Sequence, residues 1–387
     1  MPDNNLMDFE GPRTPFESEW DAVTELCRSI FFKDLSSYDV AARTWPMSLR
    51  SEAREDSFAM FHEGRPVSFI ERLERDIAVH GHTLRIGYVG SVCTNPDYRK
   101  LGLASTVLSA TMKRFHENNV DFVDISGNRA MYRNAGSRFV GGLDRFTLNK
   151  GNLTGSDTTL RSATIDDIKT LAWLNQKESL FSIRPINDYE IVIKYGHCVG
   201  RPVEFIIAYI GQTPTAYILI TKLLERDNKK YRRVMEYAGD RQFVISALAN
   251  LANEIPEDAY IEIDIQNGDL MGKLLESYKI SNQPVARPGT FVVLDFARTM
   301  TKLKPLFASY FPENFVECMK FSAGNERYTA WCKHSSLKIE GVINMTWTML
   351  GTPPNEQVSN VQATGLMKEL IDLCLPISLP PVEMNMI

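Results

Sequence analysis

Residues Gly87 to Ala104 read Gly-Tyr-Val-Gly-Ser-Val-Cys-Thr-Asn-Pro-Asp-Tyr-Arg-Lys-Leu-Gly-Leu-Ala. A β-rich run meets Asn95-Pro96, and proline cannot carry it further because it lacks a backbone donor. Beyond the break, Leu101, Ala104, Leu108, Thr111, Met112 and Phe115 recur at helical spacing and give one buried face. The chain is thereby committed to strand, loop and helix in succession. The loop carries Arg99-x-x-Gly102-x-Ala104. Backbone N–H groups at a helix N-terminus have no intrahelical partner, and the macrodipole there favours negative charge. Such a turn is a seat for a pyrophosphate. Gly102 lets the backbone approach a phosphate with no Cβ in between. Ala104 keeps the first turn slim, and Arg99 and Lys100 add positive charge.

The chain has 387 residues, 44% hydrophobic and 24% charged. That is too long for one ordinary core and suits two or three domains. The formal net charge of -5 speaks against a general nucleic-acid binder, which shows a basic excess or patch. Six cysteines stand singly at Cys27, Cys93, Cys198, Cys318, Cys332 and Cys374. Without a CxxC pair they support neither a zinc knuckle nor a dithiol redox motif, and scattered thiols suit a reducing compartment. His80 and His82 lack a third ligand, so no metal is expected. Met1 to Glu10 has no apolar stretch of a secretory signal. Apolar runs such as Val203 to Ile210 are strand-sized and far short of a membrane span. The expectation is a soluble cytoplasmic protein with neither membrane nor nucleic-acid partners.

Periodicity orders the rest. Glu17 to Phe32 reads as a helix. Ser57 to His62 and Val67 to Val79 read as strands around a turn at Glu63-Gly64-Arg65-Pro66, followed by strands at Leu84 to Thr94 and Asp121 to Ile125 and a short helix at Arg129 to Asn134. Lys150 to Thr158 is polar and glycine-bearing, a linker by composition. A second unit then repeats the order: a helix at Asp166 to Asn175, strands at Val203 to Ile210, Thr215 to Thr221 and Tyr231 to Tyr237, a helix at Arg241 to Asn253, and a strand at Ala259 to Ile265. Asp124-Ile125 and Asp264-Ile265 close the corresponding short strands. The third part reads as a helix over Thr301 to Tyr310, strands near Phe315 to Phe321, Tyr328 to Lys333 and Leu337 to Asn344, and a helix over Val361 to Leu373. The expected domains are 1–150, 151–297 and 298–387, of α/β class with mixed sheets. The apolar tail, Leu375 to Ile387, is expected to dock on protein.

The Arg99 loop resembles the signature of the GCN5-related N-acetyltransferase (GNAT) superfamily, (Gln/Arg)-x-x-Gly-x-(Gly/Ala). The likeness continues as Asn128-x-x-x-Tyr132-x-x-x-Gly136 after the next strand. The resemblance implies acetyl-CoA as cosubstrate and a primary amine as acceptor. It implies that Arg99, Lys100, Leu101, Gly102, Leu103, Ala104 and Ser105 hold the pyrophosphate. It places Val92, Cys93 and Thr94 on a splayed strand that pairs with the pantetheine arm, Asn128 by the cofactor and Tyr132 near the thioester sulfur. Free thiols have pKa near ~8.5 and tyrosine near ~10, so Tyr132 can protonate the departing thiolate as general acid. A backbone N–H such as that of Val92 can hold the oxyanion.

Aligning Arg99-Lys-Leu-Gly102-Leu-Ala104 with Glu236-Tyr-Ala-Gly239-Asp-Arg241 keeps the glycine but reverses the charge, and Tyr132 falls on Gly272. The second unit reads as a copy that keeps the sheet and discards the chemistry. The whole pattern resembles the Eis-like acetyltransferases. They have an active first unit, a degenerate second one and a small domain resembling sterol carrier protein (SCP2-like). That resemblance implies homo-oligomers, with aminoglycosides, polyamines or lysine side chains as acceptors. It also implies that the terminal carboxylate, here on Ile387, acts as base. A reading of another class is a non-catalytic acyl-CoA or lipid-binding sensor or carrier.

Overall fold

Two tight turns, Glu63-Gly64 and His80-Gly81, have positive φ at both central residues, the geometry that matches strand twist in a hairpin. They join β2 (Ser57–His62), β3 (Arg65–Val79) and β4 (His82–Thr94) into an antiparallel meander. The computed structural model describes residues 8–32, 43–155, 158–381 and 383–385. β1 (Phe9–Arg13) pairs with β2, and β5 (Phe122–Ile125) lies parallel to β4. A parallel pair needs a crossover, supplied here by helix α2 (Leu103–Glu117). Helix α1 (Trp20–Phe31) covers the opposite face. Trp20, Val23 and Cys27 of α1 pack with Phe69 and Cys93, whereas Val107, Leu108 and Phe115 of α2 pack with Ile70 and Val92. Adjacent strand residues thus go to opposite faces, as the pleat requires.

The second sheet repeats this plan. Its order is β15-β6-β14-β13-β11-β10-β7, and off this path β12 pairs with β13 and β9 with β10. The strands are β6 (Leu143–Leu148), β7 (Thr159–Ser162), β9 (His197–Cys198), β10 (Arg201–Ile210), β11 (Thr213–Thr221), β12 (Leu224–Arg226), β13 (Lys229–Gly239), β14 (Ala259–Gln266) and β15 (Asn282–Val285). Again one pair, β13–β14, is parallel. Helices α4 (Ile168–Gln176), α5 (Ile186–Tyr195), α6 (Arg241–Glu254) and α7 (Leu270–Ser277) belong to this unit, and the short α3 (Ala130–Asn134) to the first. The two sheets exchange strands: β6 pairs with β14 and β15, while β8 (Leu180–Ile183) pairs with β3 and β16 (Thr290–Val293) with β5. Sheet membership therefore crosses the expected division at residue 150.

The third part holds α8 (Phe296–Lys302), α9 (Lys304–Ala308), α10 (Glu313–Cys318), α11 (Val342–Leu350) and α12 (Leu366–Cys374). Its antiparallel sheet is β17 (Lys320–Gly324), β18 (Arg327–Cys332), β19 (Ser335–Glu340) and β20 (Val361–Thr364). Sequence reasoning was weakest in this part. The expected strand near Phe315 is helix α10, because a short apolar run does not reveal its period. The strand expected to run to Asn344 stops at Glu340, where Gly341 opens the buried helix α11. Val361–Thr364 is a strand rather than the start of a helix. Cys318 and Cys332 form a disulfide, which corrects the reading of all six cysteines as separate thiols. Packing of α10 beside β18 brings them together, and no spacing motif announces that.

The tail docks against the other parts. Ile377 N donates to Met349 O (2.8 Å), and Arg287 donates to the carbonyls of Leu379 and Pro380. Asn385 is fully buried, its Nδ2 3.0 Å from Ser182 Oγ. Among the described residues no helix is long and apolar enough to cross a membrane.

Candidate active site

The site begins with a mismatch between neighbouring strands. Glu71 of β3 faces Gly90 of β4, but Phe69 faces Cys93. β4 therefore carries one extra residue there, and Ser91 takes a φ of 47°, which is a β-bulge. On its other edge β4 pairs with β5 only from Ile86 to Val89, with a last link from Ser126 N to Val89 O (3.0 Å). Beyond it the two parallel strands part. Val92, Cys93 and Thr94 thus present a backbone edge to which β5 does not bond, and an extended ligand can use such an edge as a further strand would.

Asn95 ends the strand, its side chain accepting from Asp97 N (3.1 Å). Gly102 then sits at the N-cap of α2 with φ 82°, a left-handed backbone that favours glycine. A Cβ added there would meet nothing within 4 Å, so the space ahead of the helix is open. The first α2 bond is Thr106 N to Gly102 O (3.0 Å), which leaves the amides before it pointing into that space. Arg99 and Lys100 are exposed beside it, and Arg99 Nε donates to Thr94 O (3.4 Å).

A cavity of about 480 Å³ occupies the place. Val92, Cys93, Thr94, Arg99, Lys100, Gly102, Leu103, Ala104 and Ser105 all line it. Leu101 does not; its side chain is 52% exposed. Asn128 is exposed too, and its side-chain oxygen accepts from Arg133 Nη1 (3.3 Å). Ile30, Tyr98 and Arg129 complete the wall. Arg129 adds a cation that sequence reasoning passed over, although it adjoins the Asn128 motif. Ile30 arrives from another helix and left no local signal.

Tyr132 of α3 is 1% exposed. Its ring packs with Val89, Val92, Leu103 and Ile125, behind the cavity wall rather than in it. Burial raises its hydroxyl above the ordinary tyrosine value, opposed by Arg129. The phenol therefore keeps its proton through neutral pH. Ile387 lies outside the described residues. The tail leads inward, however: the side chain of Asn385 lies beside Tyr88 of β4, four residues before Val92.

Glu71, opposite the bulge, is buried and accepts from Leu49 N (2.9 Å). Burial pushes its carboxyl up to about 7, against the pull of the Leu49 amide, nearby serine hydroxyls and Arg50.

The second unit has its own cleft where β13 and β14 part beyond Val234 and Ile263. A cavity of about 440 Å³ lies there, but charged side chains fill the equivalent of the anion seat. Glu178 Oε1 accepts from Gly239 N (2.7 Å), ahead of α6. Arg241 bridges Glu178 Oε2 (2.6 Å) and Asp269 Oδ1 (2.9 Å). Burial alone would raise the Asp269 carboxyl, yet its bonds to Arg241 hold it below the ordinary range. Glu236 pairs with Arg184 (2.8 Å) and accepts from Tyr217 (2.6 Å), all three deeply buried.

Residues 12–139 match the sequence profile of the acetyltransferase (GNAT) domain family. No curated protein matches the chain in sequence. In structure it is similar to a GCN5-related N-acetyltransferase from Kribbella flavida, with TM-score 0.61 and 12% identity over 96% of this chain and 98% of that one. It is also similar to a GCN5-related N-acetyltransferase from Anabaena variabilis (TM-score 0.60, 11% identity, 92% and 86% covered). A third similar structure is Eis1 from Mycobacterium abscessus (TM-score 0.52, 10% identity, 76% and 75% covered). At such identities the likeness is one of fold.

Proposed function

With residues 12–139 forming an acetyltransferase domain of the GNAT type, we propose that the chain is an acetyl-CoA-dependent N-acetyltransferase acting on a primary amine. One observation carries the reading: the open, cationic helix start at Gly102 adjoins the edge of Val92–Thr94 that β5 leaves, in a single cavity. The pyrophosphate sits on the α2 amides with Arg99 and Lys100 as counter-charges. The pantetheine arm runs along Val92–Thr94, which brings the thioester to the bulge. The neutral amine attacks the carbonyl carbon, and a backbone N–H at the bulge takes the developing negative charge. The C–S bond breaks, and Tyr132 gives its proton to the departing sulfur. That step requires the buried Tyr132 hydroxyl to gain access to the cavity. The Ile387 carboxylate, in the role that the Eis-like resemblance implies, receives the proton of the amine.

The acceptor is a small polyamine or aminoglycoside, or a lysine side chain. The second unit is a structural copy, the third an SCP2-like domain, and the assembly a cytoplasmic homo-oligomer of the Eis-like kind. The test is thiol release from acetyl-CoA with a panel of such amines. Release that depends on the amine supports the reading. The seclusion of Tyr132 favours one alternative, a sensor that binds acyl-CoA without transfer. Uptake of coenzyme A with no release from any amine would select it.

A further inference from the structure

Two buried thiols with no part in that transfer meet at the edge of the coenzyme cavity. Cys27 Sγ on α1 lies 3.6 Å from Cys93 Sγ on β4, although 66 positions separate them in sequence. Both are free thiols, 0% and 3% exposed, held among Trp20, Phe61 and Phe69. A disulfide has S–S near ~2.05 Å, so closure asks for an approach of about 1.5 Å. Cys93 also lines the cavity, which gives a small oxidant a route to it. Ile30 is three residues beyond Cys27 on the same face of α1 and lines the same cavity. Burial, then the neighbouring Cys93 and Glu71, raise the Cys27 thiol. The first nucleophile is Cys93, because of the two sulfurs its residue is the one that lines the cavity a small oxidant enters.

We propose that Cys27 and Cys93 are a reversible redox pair in the wall of this cavity, oxidised by hydrogen peroxide and closing the cavity to coenzyme A. The Cys93 thiolate attacks one peroxide oxygen. The O–O bond breaks, leaving a sulfenic acid, and the departing hydroxide takes up the Cys93 proton as water. The Cys27 sulfur then attacks the Cys93 sulfur, the S–O bond breaks, and hydroxide leaves with the Cys27 proton as a second water. Two thiols are oxidised and one peroxide is reduced. A dithiol reductant reverses the bond by exchange. Closure draws α1, and Ile30 with it, onto β4. The gating part rests on the reading that this cavity takes coenzyme A; the covalent part does not.

The experiment treats the full chain with hydrogen peroxide, blocks remaining thiols with N-ethylmaleimide and maps peptides by mass. The expected result is a Cys27–Cys93 link, distinct from Cys318–Cys332 and reversed by dithiothreitol. Calorimetry should show coenzyme A binding weakened about 5-fold or more in the linked form, the lower end of a typical coupling. Cys27→Ala should bind coenzyme A as the reduced protein does and lose the peroxide effect. Both thiols still alkylated after peroxide, or Cys93 over-oxidised with no link to Cys27, overturns the pair. A link that leaves coenzyme A affinity unchanged overturns the gating. If the reduced protein takes up no coenzyme A, the gating and the acyl transfer both fall, and the peptide map alone decides the covalent pair.

Discussion

At the start of α2 the amides face an open cavity, with Arg99 and Lys100 exposed beside it. At the start of α6 the corresponding place holds a carboxylate of the protein itself: Glu178 accepts from Gly239 N, and Arg241 ties Glu178 to Asp269. Both helices follow a strand of a parallel pair that splays, and both have a glycine at positive φ just before them. Gly239 earns its place sterically, since a Cβ would meet Ala216 Cα at 2.6 Å, whereas Gly102 faces empty space. A helix N-terminus attracts an anion; the second unit places a carboxylate of its own chain there, whereas the first opens onto a cavity.

The largest effect expected from breaking this contrast lies at Tyr132. Tyr132→Phe should lower kcat by about 10²–10⁴-fold with coenzyme A affinity unchanged, while Gly272→Ala, at the matching position of the second unit, should leave turnover alone. Steady-state thiol release reads both, and full activity in Tyr132→Phe would remove the phenol from the mechanism. Next comes the buried pair of the second unit. Glu236→Ala strands the Arg184 guanidinium, whose side chain is 1% exposed, and should cost about 3–5 kcal/mol in urea unfolding. A cost below about 1 kcal/mol, the surface-pair value, would mean that this buried pair does not help hold the second unit together.

A pH experiment sharpens the contrast further, because the first unit buries a carboxyl, Glu71, for which no ion pair appears among the described residues. Glu71 is raised from the ordinary 4.5 to about 7 in the folded chain. Between those values the folded state binds the extra proton, so stability falls as pH rises and levels off above the higher one. Glu71→Gln should remove up to about 3 kcal/mol of that decline. Urea midpoints of both proteins at pH 4.5 and pH 8 check it, and parallel curves would contradict it. The smallest effect is the charge swap itself. Arg99→Glu gives the first unit the residue of the second and should weaken coenzyme A by about 10–100-fold, the worth of one charged hydrogen bond. Equal affinity would detach Arg99 from the seat.

The strand, break and helix around Arg99 were legible because they are local. Val92–Thr94, the Asn-Pro break and Arg99–Ser105 lie in one run; the break follows from Asn95 and Pro96, although the positive φ of Ser91 and Lys100 does not follow from residue type. The paired crossovers were legible too, since Asp124-Ile125 and Asp264-Ile265 end matching strands. What stayed hidden was long-range. Ile30 reaches the cavity from α1, β6 and β16 trade sheets, and Cys27 meets Cys93 only after α1 packs on β4. In the third part, short apolar runs around Phe315 and Val342 carry no readable period, so two helices passed as strands. Tyr132 was singled out by its place in the Asn128 motif, and its burial depends on packing that no spacing encodes.

The most direct test is a calorimetric titration of the reduced full chain with coenzyme A. An open seat on α2 and an occupied one on α6 predict a single equivalent bound per chain, weakened by Arg99→Glu and indifferent to Arg241→Ala. No uptake, or two equivalents of equal affinity, would contradict the account.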